Sequence, residues 1–215
     1  MRRSVVFDLD GTLVDSAAEI IGTLVEALHE SGLGSVPPIS PSAIGPPIGR
    51  ILEGLGLGLT AGETAAVLRS FRRIYDSSTY ARTRPYDGIP ECLEELSSKG
   101  CRLFVATNKP LLPTTGIVER CFKGRFLGIC SVDSLAGRSL TKTEMLTELS
   151  SRFAILSPDS VVIGDGAADL QAGERMGWWR VAALWGYGSE EELLAEKPQA
   201  TARSPREICA ILEAA

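Results

Sequence analysis

The chain has 215 residues, 44% of them hydrophobic and 23% charged, and a net charge of −5. This is an ordinary globular composition, long enough for one domain or for a core domain with a small insert. The negative balance argues against a nucleic-acid polymer as partner but not against small phosphate esters, which need only local positive charge.

In chain order, the first informative segment is SVVFDLDGTLVDS at 4–16. Val5, Val6 and Phe7 read as a buried parallel strand that stops at Asp8 and Asp10. The preceding Arg2 and Arg3 do not make a signal peptide, because Asp8 interrupts the apolar stretch within a few residues. Gly11 and Thr12 turn the chain toward a helix starting near Ser16. In an open parallel sheet, ligands bind at the carboxyl ends of the strands. Two carboxylates at i and i+2 placed there repel each other and favour a cation. Mg²⁺ suits them, since it takes one or two carboxylates together with phosphate oxygens.

Residues 17–83 are helical in pattern: AAEIIGTLVEALHE at 17–30, a Pro-rich passage at 37–47, a short helix near 48–55, and a longer one behind a Thr60–Glu63 capping box. His29, the single histidine, reads as a surface or packing residue, so His-dependent triads and His-rich metal sites are not expected. The GLGLGL run at 54–59 follows a helix and lacks Lys-Ser/Thr, so it reads as a helix end and turn rather than a nucleotide loop. A helical insert after the first strand, returning at PYDG (85–88), reads as a lid with hinges near Asp15–Ser16 and Thr83–Tyr86. The expected division is 1–15 with 84–215 as core and 16–83 as cap.

Strand-like and helix-like segments then alternate. CRLFVA (101–106), LGICSV (127–132), SVVIG (160–164) and WRVAAL (179–184) lead to helices near Pro110, Thr141, Ala167 and Ser189. This is the pattern of a parallel sheet with crossover helices, an α/β doubly wound, Rossmann-like core. Capping boxes are read at Thr141/Glu144, Ser189/Glu192 and Ser204/Glu207, with a last helix over 205–214. Thr107 and Asn108, directly after CRLFVA, suit phosphate oxygens at a helix start, or simply cap the helix. Lys142 stands in a first helical turn, against the dipole, and is either recruited by a site or solvated. Asp165 repeats the position of Asp8, and Asp169 follows it by one helical turn. The five cysteines are scattered without a C-x-x-C pair, and a reducing cytoplasm is the expected location. No apolar run approaches the ~18 residues of a membrane span.

Asp8 with Asp10, Thr107, Lys142, and Asp165 with Asp169, in this order at successive strand ends, resemble the four motifs of the haloacid dehalogenase-like hydrolase superfamily. The insert at 17–83 resembles its cap. FDLDGTLVDS, PYDGIPECL, ATNKP and WGYG (185–188) resemble the phosphoglycolate phosphatase-like branch. Thr143 stands where proline often follows the lysine, closer to some nucleotidase-like relatives, and Gly166, Ala167 and Ala168 replace commonly polar residues.

The resemblance implies a Mg²⁺-dependent phosphatase in which Asp8 is the nucleophile and Asp10 the acid and base. Asp8, Asp165 and the main-chain carbonyl of Asp10 would hold the metal, with Asp169 as a supporting acid. Thr107, Lys142 and the amides of Leu9, Asp10 and Asn108 would hold the phosphate. A small phosphorylated metabolite is the expected partner, 2-phosphoglycolate first, for a monomer or homodimer. Nucleoside 5′-monophosphates, pyrophosphate and a sugar phosphomutase reaction are the alternatives. Dehalogenation is disfavoured, since halide needs no proton from an acid at position 10, and so is a receiver-type signalling domain, whose phosphate-accepting Asp follows the third strand. No cap lysine stands out for a phosphonatase. Arg50 and Tyr80 are the cap residues that would contact substrate, if they are not surface or packing residues.

Overall fold

The computed structural model describes residues 4–33 and 35–214, so Arg2 and Arg3 lie outside the described residues. The chain forms two units: one holds the residues up to Asp15 and from Pro85 onward, the other Ser16–Arg84.

The first unit is built on six strands: β1 (Ser4–Phe7), β4 (Arg102–Thr107), β5 (Gly128–Ser131), β6 (Ser160–Gly164), β7 (Trp179–Ala183) and β8 (Ala200–Ala202). Their order is β5-β4-β1-β6-β7-β8, and every pairing is parallel. β1 is central because its run of Val5, Val6 and Phe7 is apolar on both faces, and all three are fully buried. Val5 lies opposite Leu103 on one side and Val161 on the other. Two-residue strands, β2 (Val14–Asp15) and β3 (Arg84–Pro85), mark where the chain leaves and re-enters this unit.

Helices α4 (Ile89–Ser98), α5 (Leu111–Phe122), α6 (Lys142–Phe153), α7 (Ala167–Arg175), α8 (Glu190–Ala195) and α9 (Ile208–Glu213) complete the core unit. Val6, Phe104 and Val162 of the sheet share one buried cluster with Met145, Leu146 and Leu149 of α6. After β1 the chain builds β4 and β5 on one side, then crosses through α6 to β6 on the other. The strand order therefore reverses beside β1, where a crevice forms at the strand ends. Asp8 and Asp165 each follow the last residue of a strand, β1 and β6, and Thr107 ends β4 between β1 and β5.

Differences from the sequence reading sit mostly near the C-terminus. Residues 205–207 form a 3-10 turn and only then does α9 begin, so 205–214 is not one helix. The Ser204 hydroxyl donates to the Glu207 carboxylate (3.1 Å), which also accepts from the Arg203 N–H (3.1 Å), so the expected capping box does not form. Both reciprocal bonds are made at Thr141/Glu144, and at Ser189 the hydroxyl accepts from the Glu192 N–H (3.2 Å). β8 and α4 were not anticipated. α4 starts with Pro90 in its first turn, behind Gly88, whose φ is +86°. Cys92, Cys130 and Cys209 are buried, Cys101 and Cys121 half-buried, and all five are free thiols.

The second unit holds α1 (Ala17–Glu30), α2 (Ile48–Gly54) and α3 (Ala61–Asp76), the last with its Thr60/Glu63 capping box intact. Ile20, Leu24 and Leu28, spaced by four, form the buried stripe of α1. Arg73 pairs with Glu30 (2.6 Å), and buried Glu19 accepts the Arg82 N–H (2.8 Å). Gly56 and Gly58 have φ of +62° and +66° in the turn after α2. No helix among the described residues is long and apolar enough to cross a membrane.

Phe104 is fully buried beside the central strand. Phe104→Ala should lower the equilibrium unfolding free energy, measured in urea, by about 3–5 kcal/mol.

Candidate active site

Lys142 is the first residue of α6, where its charge opposes the helix dipole. Its side chain is almost wholly buried, which an ammonium tolerates only when paired. Nζ donates to Asp8 Oδ1 (2.9 Å) and to the Ala106 carbonyl (2.9 Å), and lies 2.8 Å from Asp169 Oδ1. Two hydrogen bonds and an ion pair to Asp169 thus surround the ammonium. Burial alone would lower the Lys142 pKa, but Asp169 and Asp8 outweigh it and hold the ammonium above the usual lysine range.

Asp8 is fixed at the end of β1, where its N–H donates to the Ile163 carbonyl (2.9 Å). Burial pushes its carboxyl up to about 6. Asp169 and Asp10 push in the same direction and Lys142 opposes them. The next residues form a tight turn in which the Leu9 carbonyl accepts from Leu13 (2.9 Å) and Val14 (3.0 Å), bringing Asp10 back over the strand end. Asp10 Oδ2 lies 2.9 Å from Nζ of Lys109, a pair with little exposure on the lysine side. Lys109 belongs to the turn after β4, where the buried Thr107 hydroxyl accepts the Lys109 N–H (3.2 Å). Asn108, between them, is exposed.

Asp165 is held from several directions. The Thr12 hydroxyl donates to Asp165 Oδ1 (2.7 Å) and accepts the Asp165 N–H (3.1 Å), and the Tyr187 N–H donates to Oδ2 (2.8 Å). Burial, then the charge of Asp8, raise the Asp165 carboxyl to about 6 against those hydrogen bonds. The close fit needs glycine: a Cβ on Gly188 would lie 1.9 Å from the Asp165 carbonyl oxygen, and one on Gly11 2.1 Å from Oδ2. Asp169 accepts the Gly166 N–H (3.3 Å) at the start of α7, and burial raises its carboxyl while Lys142 opposes.

Asp8, Asp10, Asp165, Asp169, Thr107 and Lys142 thus gather at one end of the sheet, while Asn108 adds no side-chain contact there. Arg50 is exposed and paired with Glu53 (2.8 Å) on α2. Tyr80 is buried, packs on Tyr75 with ring centroids 5.4 Å apart, and has φ of +53°. The sequence reading missed three contributors: Lys109, Thr12 and the 186–188 loop. Each lay inside a quoted motif (ATNKP, DGT, WGYG), but only the fold shows which acid it touches.

Within the cluster the four carboxylates outnumber the two lysines by two, a charge balance that a divalent cation would correct. Among the described residues no three His, Cys, Asp or Glu side chains gather as a self-sufficient metal site. Two carboxylates completed by a main-chain carbonyl and solvent suit Mg²⁺, which rarely occupies an all-protein cage, so the residues fit that ion.

The sequence profile of the haloacid dehalogenase-like hydrolase family matches residues 5–183. The chain is 32% identical over 200 residues to a phosphoglycolate phosphatase of Xylella fastidiosa, covering 88% of this chain and 83% of that one. It is also 32% identical over 216 residues to a phosphoglycolate phosphatase of Aquifex aeolicus, covering 98% and 97%. A crystal structure of a predicted phosphatase from Clostridium acetobutylicum superposes with a TM-score of 0.85 at 27% identity, over 99% of both chains. The match runs through the strand ends that carry the acids and the lysine, and the chain belongs to the haloacid dehalogenase-like hydrolase family.

Proposed function

We propose that this family member is a Mg²⁺-dependent phosphatase of small phosphomonoesters, with 2-phosphoglycolate as the first substrate to test. The observation that carries the reading is the lysine shared by Asp8 and Asp169 at the end of β1, with a second acid two residues beyond. The relatives named phosphoglycolate phosphatase support the choice of first substrate. The helical unit is assigned the role of cap, selecting which ester is accepted.

In the first step a carboxylate oxygen of Asp8 bonds to phosphorus, the ester P–O bond breaks, and Asp10 passes a proton to the departing oxygen. In the second, water attacks the phosphoryl-aspartate while Asp10 takes its proton; phosphate leaves and Asp8 is restored. Lys142 and the amides at the ends of β1 and β4 hold the phosphoryl oxygens, with Thr107. Mg²⁺, held by Asp8, Asp165 and the Asp10 main-chain carbonyl, would supply the positive charge that lets a carboxylate meet a phosphate dianion.

A panel of phosphate esters, including nucleoside monophosphates, pyrophosphate and a sugar phosphate, should release inorganic phosphate in the presence of Mg²⁺. Isomerised sugar phosphate with little free phosphate would indicate a mutase instead. Asp8→Asn should cut turnover by more than about 10³-fold while leaving the circular dichroism unchanged; near-normal phosphate release by that variant would falsify the nucleophile assignment.

The raised carboxyls add a stability test. Between about pH 4 and 6 the fold keeps protons on Asp8 and Asp165 that the unfolded chain has released. These groups therefore make the metal-free protein less stable as pH rises through that window. Relative to Asp165→Asn, the wild-type thermal midpoint should fall over this range in chelator. Added Mg²⁺ near neutral pH should raise the wild-type midpoint by a few degrees and move the variant much less.

A further inference from the structure

Lys109 is a buried lysine that the reaction above leaves without a task. Its side chain is 6% exposed, and its Nζ lies 2.9 Å from Asp10 Oδ2, whose own side chain is 17% exposed. The backbone of Lys109 is pinned on both sides: the Thr107 hydroxyl accepts its N–H (3.2 Å), and the Thr114 hydroxyl donates to its carbonyl (3.4 Å). Pro110 follows, which further narrows the backbone conformations of Lys109. An ammonium is costly to bury, so a buried lysine on a fixed turn needs a partner, and the pairing recorded for this one is Asp10.

The two lysines take three of the four acids. Lys142 binds Asp8 and Asp169, while Lys109 binds Asp10. Resting on the phosphatase reading, we propose that Lys109 is a positioning residue that fixes the Asp10 carboxyl for proton delivery to the leaving oxygen. An aspartate has freely interchanging rotamers unless something holds it, and proton transfer demands hydrogen-bond geometry with the departing atom. The dependence on Lys109 then scales with how much the leaving group needs a proton. An alkoxide needs one to depart; a nitrophenolate does not.

The test compares kcat/KM for 2-phosphoglycolate and p-nitrophenyl phosphate with the full-length protein and Mg²⁺. This constant covers the steps up to departure of the alcohol, so the later hydrolysis does not mask the effect. Lys109→Met should lose about 30-fold or more on the alkyl ester and no more than about threefold on the nitrophenyl ester. Lys109→Arg should recover part of the alkyl-ester rate, and Asp10→Asn should show the same selectivity more strongly. Lys109→Gln, which keeps a neutral donor, replaces the methionine variant if that one does not fold. An equal loss on both esters, no loss, or a gain on the alkyl ester overturns the role of Lys109 while leaving the phosphatase reading intact. A wild type inert toward both esters, or an Asp10→Asn variant without selectivity, overturns the reading beneath it instead.

Discussion

Crowding of like charge governs this molecule. Asp8, Asp10, Asp165 and Asp169 are brought to one end of a sheet whose interior is otherwise apolar, and only two ammonium groups stand against them. Buried carboxylates repel one another and lose their hydration, so the arrangement exists only because each is individually tied. Lys142 pairs with two acids and donates to a carbonyl, Thr12 and the Tyr187 amide hold Asp165, and Lys109 pairs with Asp10. On the proposed reading, that unmet negative charge would draw in a cation and, with it, a phosphate dianion.

The sheet supplies the precision for this. Successive parallel strands end at nearly the same level, so residues one step past β1 and β6 become neighbours although more than 150 positions separate them. Small residues then allow the loops to close on them. At Gly188 and Gly11 the neighbouring atoms of Asp165 occupy the space where any side chain would begin. Glycine there reflects proximity to the acid as much as backbone freedom, although Gly11 also has φ of +85°.

Much of this was legible in the chain. The apolar runs of β1, β4 and β6 are buried on both faces and carry no alternation to confuse their period, and each is followed by a polar signature at its end. The intact capping box at Thr141 marked the start of α6, and the awkward placement of Lys142 in its first turn allowed either a tertiary partner or solvent; the fold buries it against Asp8 and Asp169. β8 escaped notice because Ala200, Thr201 and Ala202 carry little apolar mass, and its place at the sheet edge follows from pairing with β7. The Ser204 box failed because a serine hydroxyl can donate to a carboxylate as readily as it accepts from an amide. Lys109 was unreadable for a different reason: three consecutive polar residues, Thr107, Asn108 and Lys109, offer no period that tells which is turned inward. That choice is made by the hydroxyl bonds and proline that set the turn.

The central position of the first strand also constrains how the protein assembles during synthesis. β1 emerges first, yet its two neighbours in the sheet begin at Arg102 and Ser160. A nascent chain therefore has no sheet partner for β1 until β4 has been made, and the bonds from Thr12 to Asp165 are joined by that of Tyr187 only once the 186–188 loop has followed. Contacts of such long separation are slow to form. Asp165 and Asp169 consequently join Asp8 and Asp10 only late in elongation, when the surrounding hydrophobic layers can bear the cost.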